Sequence, residues 1–269
     1  MKNFKLLICL LLINSLIYAQ KEINASWKSY INPIFQGLDK AKVPNAILLD
    51  YAMEFTNVPA YSGTLTDSTY IDMNTFSNIY KTLYMGKVTT DTVYFPSIHT
   101  IAYKWATARV NNNPIEKNTL VITGLLYNYS IINPSALSQN KIIVSNNKYY
   151  DKYNRGVWQN PYQTKTSIAF ALPLMTYNKR NLEVILPTDL MLSNIESQIQ
   201  KIEFNPNDGL GYRQINYNQS ISVNYGSNGT YTWVFKITLN SNQILYSHTK
   251  LEINQEFTTT NWANRYGNP

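Results

Sequence analysis

The chain has one cysteine in 269 residues, Cys9. It sits inside an apolar run near the N-terminus and not at a cleavage point, so it does not read as a lipoprotein cysteine. Beyond that run there is no thiol. Disulfides, zinc–thiolate sites, redox chemistry and a cysteine nucleophile are therefore excluded for the remainder of the chain. A chain of this length buries enough core to fold without disulfides. Histidine is almost as scarce, at His99 and His248 only. Charged residues make up 14%, against about 25% in an average domain. The formal net charge is +7. Its lysines and arginines are scattered (Lys40 and Lys42, Lys148 and Lys152, Lys179 and Arg180) and form no block. A nucleic-acid partner is accordingly not expected. No repeat of 20–50 residues is visible. Also missing are G-x-S-x-G, H-E-x-x-H and G-x-x-x-x-G-K, the short motifs of hydrolases, zinc proteases and phosphate loops.

The N-terminus reads as an export signal. Lys2 and Lys5 form a basic start, Leu6–Leu12 with Ile13 an apolar core, Leu16 and Ile17 its extension, and Ala19 a small residue before Gln20. A membrane span needs about 20 apolar residues, and Asn14 and Ser15 interrupt this shorter run. With 1–19 as signal peptide, no membrane span is expected in the rest of the chain, which is placed as secreted, periplasmic or at the cell surface.

What fills the gap left by charge is tyrosine, 22 residues of it, together with Asn, Thr and Ser. Tyr and Thr suit pleated, half-buried strands, and Asn suits the turns between them. Along the chain, Pro33 is expected to open a short helix that Gly37 closes. "AILLDYAMEF" fits a helical turn or a buried strand equally well. Two segments have helical spacing: Phe76, Ile79, Tyr80 and Leu83, capped by Asp72 or Asn74 and ended by Gly86, and then Ile98, Ile101, Ala102 and Trp105. After Pro114 the pattern becomes one of short strands. "KIIVSNNKYYD" carries Asn146–Asn147 as a hairpin turn. "SISVNY" and "TYTWVFKITL" alternate apolar and polar residues, as strands with one wet face do. The expected fold class is α+β, a helix-containing N-terminal part followed by antiparallel β-sandwich structure. The expected organisation is signal peptide 1–19, helix-containing region 20–115, β-rich region 116–180, sandwich 181–254 and tail 255–269.

In "IEFNPNDGLGYRQI", a strand ending at Phe204 runs into Asp208–Gly209, and Tyr225, Gly229 and Tyr231 follow before an alternating strand. These six residues resemble the signature of PKD modules, a family of Ig-like β-sandwiches, over about 181–254. The resemblance implies an Ig-like sandwich. From the residues themselves, Asp208 is expected to fold onto backbone N–H groups and Gly209 to supply a positive φ. A calcium loop would need a later carboxylate that this stretch lacks. "LDKAKVPNAILLDYAMEFTNVPAYSGTLTDSTY" and "YYDKYNRGVWQNPYQ", joined to the sandwich, resemble the leader portion of long secreted proteins of gliding-type Gram-negative bacteria. That resemblance implies no catalytic role, and it implies a short paralogue or truncated copy.

Candidate chemistry is sparse. No catalytic residue, cofactor or metal is expected. Asp50 and Glu54 could form a carboxylate pair, but a solvated helix face gives the same spacing. The candidate ligand-binding residues are Tyr150, Tyr153, Trp158 and Tyr162, rings set among Asn and Gln in "YYDKYNRGVWQNPYQ". Such rings either present contact area to carbohydrate or protein at the cell surface or seal the seam between the helical part and the sandwich. The functional expectation is a non-catalytic exported binding or spacer module. The alternatives are a truncated leader of a larger secreted protein and an unrecognised hydrolase of envelope or polysaccharide material.

Overall fold

A computed structural model describes residues 26–89, 95–112 and 117–254 of the chain. The expected signal peptide at 1–19 and tail at 255–269 lie outside the described residues. The fold is mixed α+β, an N-terminal part with helices followed by a β-rich region. No helix among the described residues is long and apolar enough to cross a membrane.

The two helices with clear periodicity form at Met73–Met85 and Ile98–Asn111. In the first, Asp72 Oδ1 accepts from Thr75 N at 2.6 Å, the N-cap its short carboxylate is suited to make. Phe76, Ile79, Tyr80 and Leu83 are all buried. Gly86 N closes the last turn on Thr82 O. The second helix has no buried residue; Ile98, Ile101 and Trp105 of its stripe are half-buried and Ala102 is exposed. Pro33 does not open a helix. Residues 26–31 are helical and Pro33 follows them, since proline offers no N–H to continue the ladder and pushes its predecessor out of the helical region. "AILLDYAMEF" becomes a single 3-10 turn, Leu49–Tyr51, after two isolated bridge residues, Ile47 and Leu48.

The chain divides into two compact units, each discontinuous in sequence. Among the described residues, the first gathers 26–56, 79–89, 95–99 and 128–165, and the second 57–78, 100–112, 117–127 and 166–254.

In chain order the strands are β1 (Thr119–Val121), β2 (Thr123–Ile132), β3 (Ile142–Ser145), β4 (Lys148–Asp151), β5 (Tyr153–Asn154), β6 (Val157–Trp158), β7 (Tyr162–Ala171) and β8 (Thr176–Tyr177). They continue as β9 (Asn181–Ile185), β10 (Met191–Ser193), β11 (Ile199–Asn205), β12 (Arg213–Ile215), β13 (Ser220–Asn224), β14 (Gly229–Leu239) and β15 (Ile244–Ile253).

Within the second unit, a five-stranded sheet has the order β12–β11–β14–β15–β8, and a three-stranded sheet the order β1–β9–β13. Alternation decides what they bury. Ile202 and Phe204 of β11, Trp233, Phe235 and Ile237 of β14, Leu182 and Val184 of β9 and Val223 of β13 enter one apolar cluster, while the residues between them stay wetter. Phe235 stacks on Phe170 at 4.4 Å and on Phe204 at 5.1 Å, and Trp233 meets Phe204 edge-on at 4.8 Å. Each such ring contributes about 2–3 kcal/mol by leaving water. The neighbours β11–β14, β14–β15, β11–β12 and β9–β13 are antiparallel. Three further pairings, β1–β9, β10–β2 and β15–β8, are parallel. Side-chain alternation encodes which face is buried and carries no signal of strand direction.

The first unit has less regular structure. Two hairpins, β3–β4 and β5–β6, turn at Asn146–Asn147 (φ 51° and 58°) and Arg155–Gly156 (φ 47° and 80°). Two successive positive φ values are what a two-residue hairpin turn needs, and Asn and Gly adopt them most readily. Irregular segments are tied by a few backbone bonds each: Leu48 N to Gly86 O at 2.9 Å with Val88 N to Ala46 O at 3.0 Å, Ser130 N to Ile47 O at 2.8 Å, and Tyr149 N to Ile34 O at 2.9 Å with Asp151 N to Gly37 O at 3.0 Å. The core is Ile31, Phe35, Leu38, Val43, Leu48, Tyr51, Ala136, Ile142 and Tyr162.

Candidate functional site

The rings anticipated from sequence lie in the first unit. Tyr153 and Trp158 are cross-strand partners of the small β5–β6 hairpin. Trp158 is half-buried and packs on the unit's core, whereas Tyr153 is 49% exposed. The indole is fixed in place, because Trp158 Nε1 donates to Asp151 Oδ1 at 2.8 Å. The other oxygen of Asp151 accepts from Asp39 N at 2.7 Å. Lys42 Nζ donates to the Tyr153 hydroxyl at 2.6 Å and lies 4.9 Å from the Tyr153 ring centre and 5.5 Å from that of Trp158. It also pairs with Asp39 at 3.6 Å. That hydroxyl contact holds the Lys42 ammonium above the ordinary lysine range. The hairpin therefore presents an amphipathic surface of two rings, one ammonium and two carboxylates, with the indole anchored from below.

Tyr150 sits on β4 and is 37% exposed. One side of it lies against the backbone of Gly37: a Cβ at Gly37 would come within 2.2 Å of the ring and 2.6 Å of Tyr149 O. Only glycine allows that approach. Tyr162 is different. It is buried at 8% exposure, 6.3 Å from the Trp158 ring, and its hydroxyl has no hydrogen-bond partner among the described residues. Burial, followed by the charges of Asp151, Asp39 and Asp50, raises its pKa well above the usual tyrosine range. Tyr162 supports the Trp158 ring from the core and offers no face to a ligand.

Beside Asp39 opens a groove of about 460 Å³ lined by Asn32, Pro33, Gln36, Leu38, Asp39 and Lys40. Asn32 Oδ1 accepts from Lys40 Nζ at 2.9 Å and from the Tyr51 hydroxyl. None of these partners was legible in sequence. Asp39 and Asp151 are 112 residues apart and Lys42 and Tyr153 111, and no local pattern links them.

The remaining sequence candidates lie elsewhere in the fold. Asp50 and Glu54 do not share a helix face, because the chain turns extended at Ala52 (φ −80°, ψ 151°) after a single 3-10 turn. Asp50 Oδ2 accepts from Ile132 N at 2.8 Å. His99 begins a helix and is exposed. His248 lies on β15, buried, stacked on Tyr70 at 3.9 Å, with a ring nitrogen 3.2 Å from Thr69 Oγ1. Thr69 Oγ1 is itself committed to the Thr66 backbone, so it is not a free nucleophile. Asp208 forms the expected turn: Oδ1 accepts from Leu210 N at 3.2 Å, Oδ2 pairs with Arg213 at 2.7 Å, and Gly209 has φ +89°. No group of three His, Cys, Asp or Glu that could hold a metal occurs among the described residues.

No family model matches this chain, and no curated protein compared with it does either.

Proposed function

We propose that the chain is an exported, non-catalytic module that binds carbohydrate or protein at the cell surface through the face built on Tyr150, Tyr153 and Trp158. The observation that carries this reading is the Tyr153–Trp158 pair. An exposed ring and a half-exposed ring lie on neighbouring strands, with the indole locked by Asp151 and charged donors and acceptors at their rim. Rings held rigidly lose little entropy on binding a flat ligand, and the rim supplies hydrogen bonds.

The second unit has the character of a scaffold. Its run of antiparallel neighbours, β12–β11–β14–β15, supports an Ig-like arrangement. So does Tyr231, near the start of β14, whose hydroxyl donates to Ser227 O at 2.9 Å, the corner tyrosine common in such sandwiches. Phe204 and Tyr225, two of the six residues that carry the resemblance to PKD modules, pack in its core.

The test is co-sedimentation of the purified chain with insoluble peptidoglycan and neutral polysaccharide. Wild type is expected in the pellet. Tyr153→Ala and Trp158→Ala should each weaken retention by roughly fivefold to tenfold, the size of one aromatic contact of about 1–1.5 kcal/mol. Absence of the wild type from every pellet sinks the carbohydrate reading, and full retention of the properly folded Tyr153→Ala protein sinks the ring face as the binding site.

A further inference from the structure

We propose that the groove lined by Asn32, Gln36 and Lys40 is a site for a small molecule bearing an oxyanion, a carboxylate or a phosphate, seated on the Lys40 ammonium and the Asn32 amide with Lys28 as a second positive charge behind them. It adjoins the ring face, with Asp39 common to both, and its ligand is read independently of those rings.

Charge is out of balance at this place. Lys28 and Lys40 approach the same aromatic ring, that of Tyr51, at 3.7 and 4.6 Å from its centre. Neither has a carboxylate partner among the described residues. Lys28 Nζ bonds only to backbone carbonyls there, Met85 O at 2.6 Å and Lys87 O at 3.4 Å. The ring face and carbonyl dipoles soften two desolvated cations, yet they do not neutralise them. Lys28 is accordingly pushed down from 10.5 to about 7, by burial first and then by the charges of Lys40 and Lys87. Burial lowers Lys40 as well. These two shifts are what a bound anion would reverse.

The groove wall supplies the donors. An ammonium can only donate, so the Asn32 oxygen must face Lys40, and it takes the Tyr51 hydroxyl too. The Asn32 NH₂ is thereby fixed as the outward group, with no partner among the described residues. Gln36 lines the same groove and adds a second amide. The one carboxylate there, Asp39, is already engaged: Oδ1 accepts from Ala41 N at 3.0 Å and Oδ2 pairs with Lys42. The Lys40 ammonium and the Asn32 amide keep hydrogens to spare beside a carboxylate that is already engaged, and charge-assisted bonds to an anion there are strong. The groove, about 460 Å³, has room for an anionic group carried by a molecule of about sugar size.

Calorimetric titration of the full chain with glucuronate, inorganic phosphate and neutral glucose tests this. Glucuronate is expected to bind and glucose not. Phosphate binding as well would define a general oxyanion site, and glucuronate alone a carboxylate site on a sugar. Lys40→Met should weaken glucuronate at least about tenfold, whereas the charge-matched control Lys165→Met should not. Glucuronate, ionised throughout, should bind more weakly to wild type at pH 8.5 than at pH 6, because Lys28, facing Lys40, Lys87 and Tyr51, discharges across that range. Anion affinity no greater than that of glucose, or a folded Lys40→Met protein that binds glucuronate as wild type does, overturns the proposal. So does an affinity that stays flat with pH.

Discussion

In the second unit, Phe204 lies between Trp233 and Phe235, and every one of these rings is fully buried. In the first, Tyr51 is also buried, but what approaches it is two ammonium groups, the Phe35 ring at 5.8 Å and an asparagine. The first arrangement removes apolar surface from water and leaves nothing charged behind. The second keeps desolvated cations without an anion. Stability is the natural outcome of one, and readiness for a ligand the natural outcome of the other, since interactions left unsatisfied in a free protein are those a partner can complete. The sharpest break of this contrast is Phe204→Ala. Truncating a ring at that point leaves a cavity between two others and should cost about 3–5 kcal/mol. Urea denaturation checks it: a midpoint fall with unchanged slope is expected. A loss under about 1 kcal/mol would mean that the stacked rings are not what holds the second unit.

A smaller effect sharpens the same contrast on the polar side of the second unit. Tyr231→Phe removes one hydroxyl, which donates to Ser227 O and lies 3.2 Å from Ser227 Oγ. The ring stays, stacked on Tyr225 at 3.8 Å. One exposed hydrogen bond at a strand entrance contributes about 0.5–1.5 kcal/mol. Thermal unfolding of the variant should therefore shift by a few degrees. A shift as large as that of Phe204→Ala would make the corner bond, not the apolar cluster, the principal device of this unit.

The two units also differed in how far sequence could show them. "TYTWVFKITL" and "SISVNY" announce their buried face residue by residue, and Trp233, Phe235, Ile237 and Val223 are where alternation puts them. The turn at Asp208–Gly209 was equally open to reading, because its bonds reach only two to five residues along the chain. Strand direction was not, and parallel neighbours such as β1 and β9 are joined by distant pairing. The first unit was nearly opaque. Its ties are scattered bonds such as Ser130 Oγ to Pro44 O, 86 residues apart, or Trp27 Nε1 to Tyr51 O, 24 apart. Of the rings singled out, Tyr150, Tyr153 and Trp158 do reach the surface wholly or in part, but Tyr162 does not. The partners that give the site its charge, Lys42, Asp151, Lys40 and Asn32, had no pattern to mark them, because a single lysine or asparagine looks alike on any solvated turn.

The smallest expected effect at neutral pH is the one that separates the units most cleanly. Lys28→Met replaces a desolvated ammonium by an apolar chain of similar length. Losing the bonds to Met85 O and Lys87 O destabilises by about 1–2 kcal/mol, while removing a cation beside Lys40 and Lys87 offsets much of that. The net change near pH 6.5 should stay within about 1 kcal/mol, unlike any core truncation in the second unit. The pH dependence then identifies the cause. The folded-state pKa of Lys28 is lowered to about 7 from 10.5, so between those values the unfolded chain binds the extra proton. Stability contributed by this group therefore rises as pH increases from about 7 towards 10.5 and is absent below about 7. Wild type should gain stability relative to Lys28→Met across that window, read by urea midpoints at pH 6.5, 8 and 9.5. Parallel profiles for the two proteins would show that Lys28 keeps an ordinary lysine's proton, and a loss above about 2 kcal/mol at pH 6.5 would make it a structural clamp on the helix end instead of a charge held for a ligand.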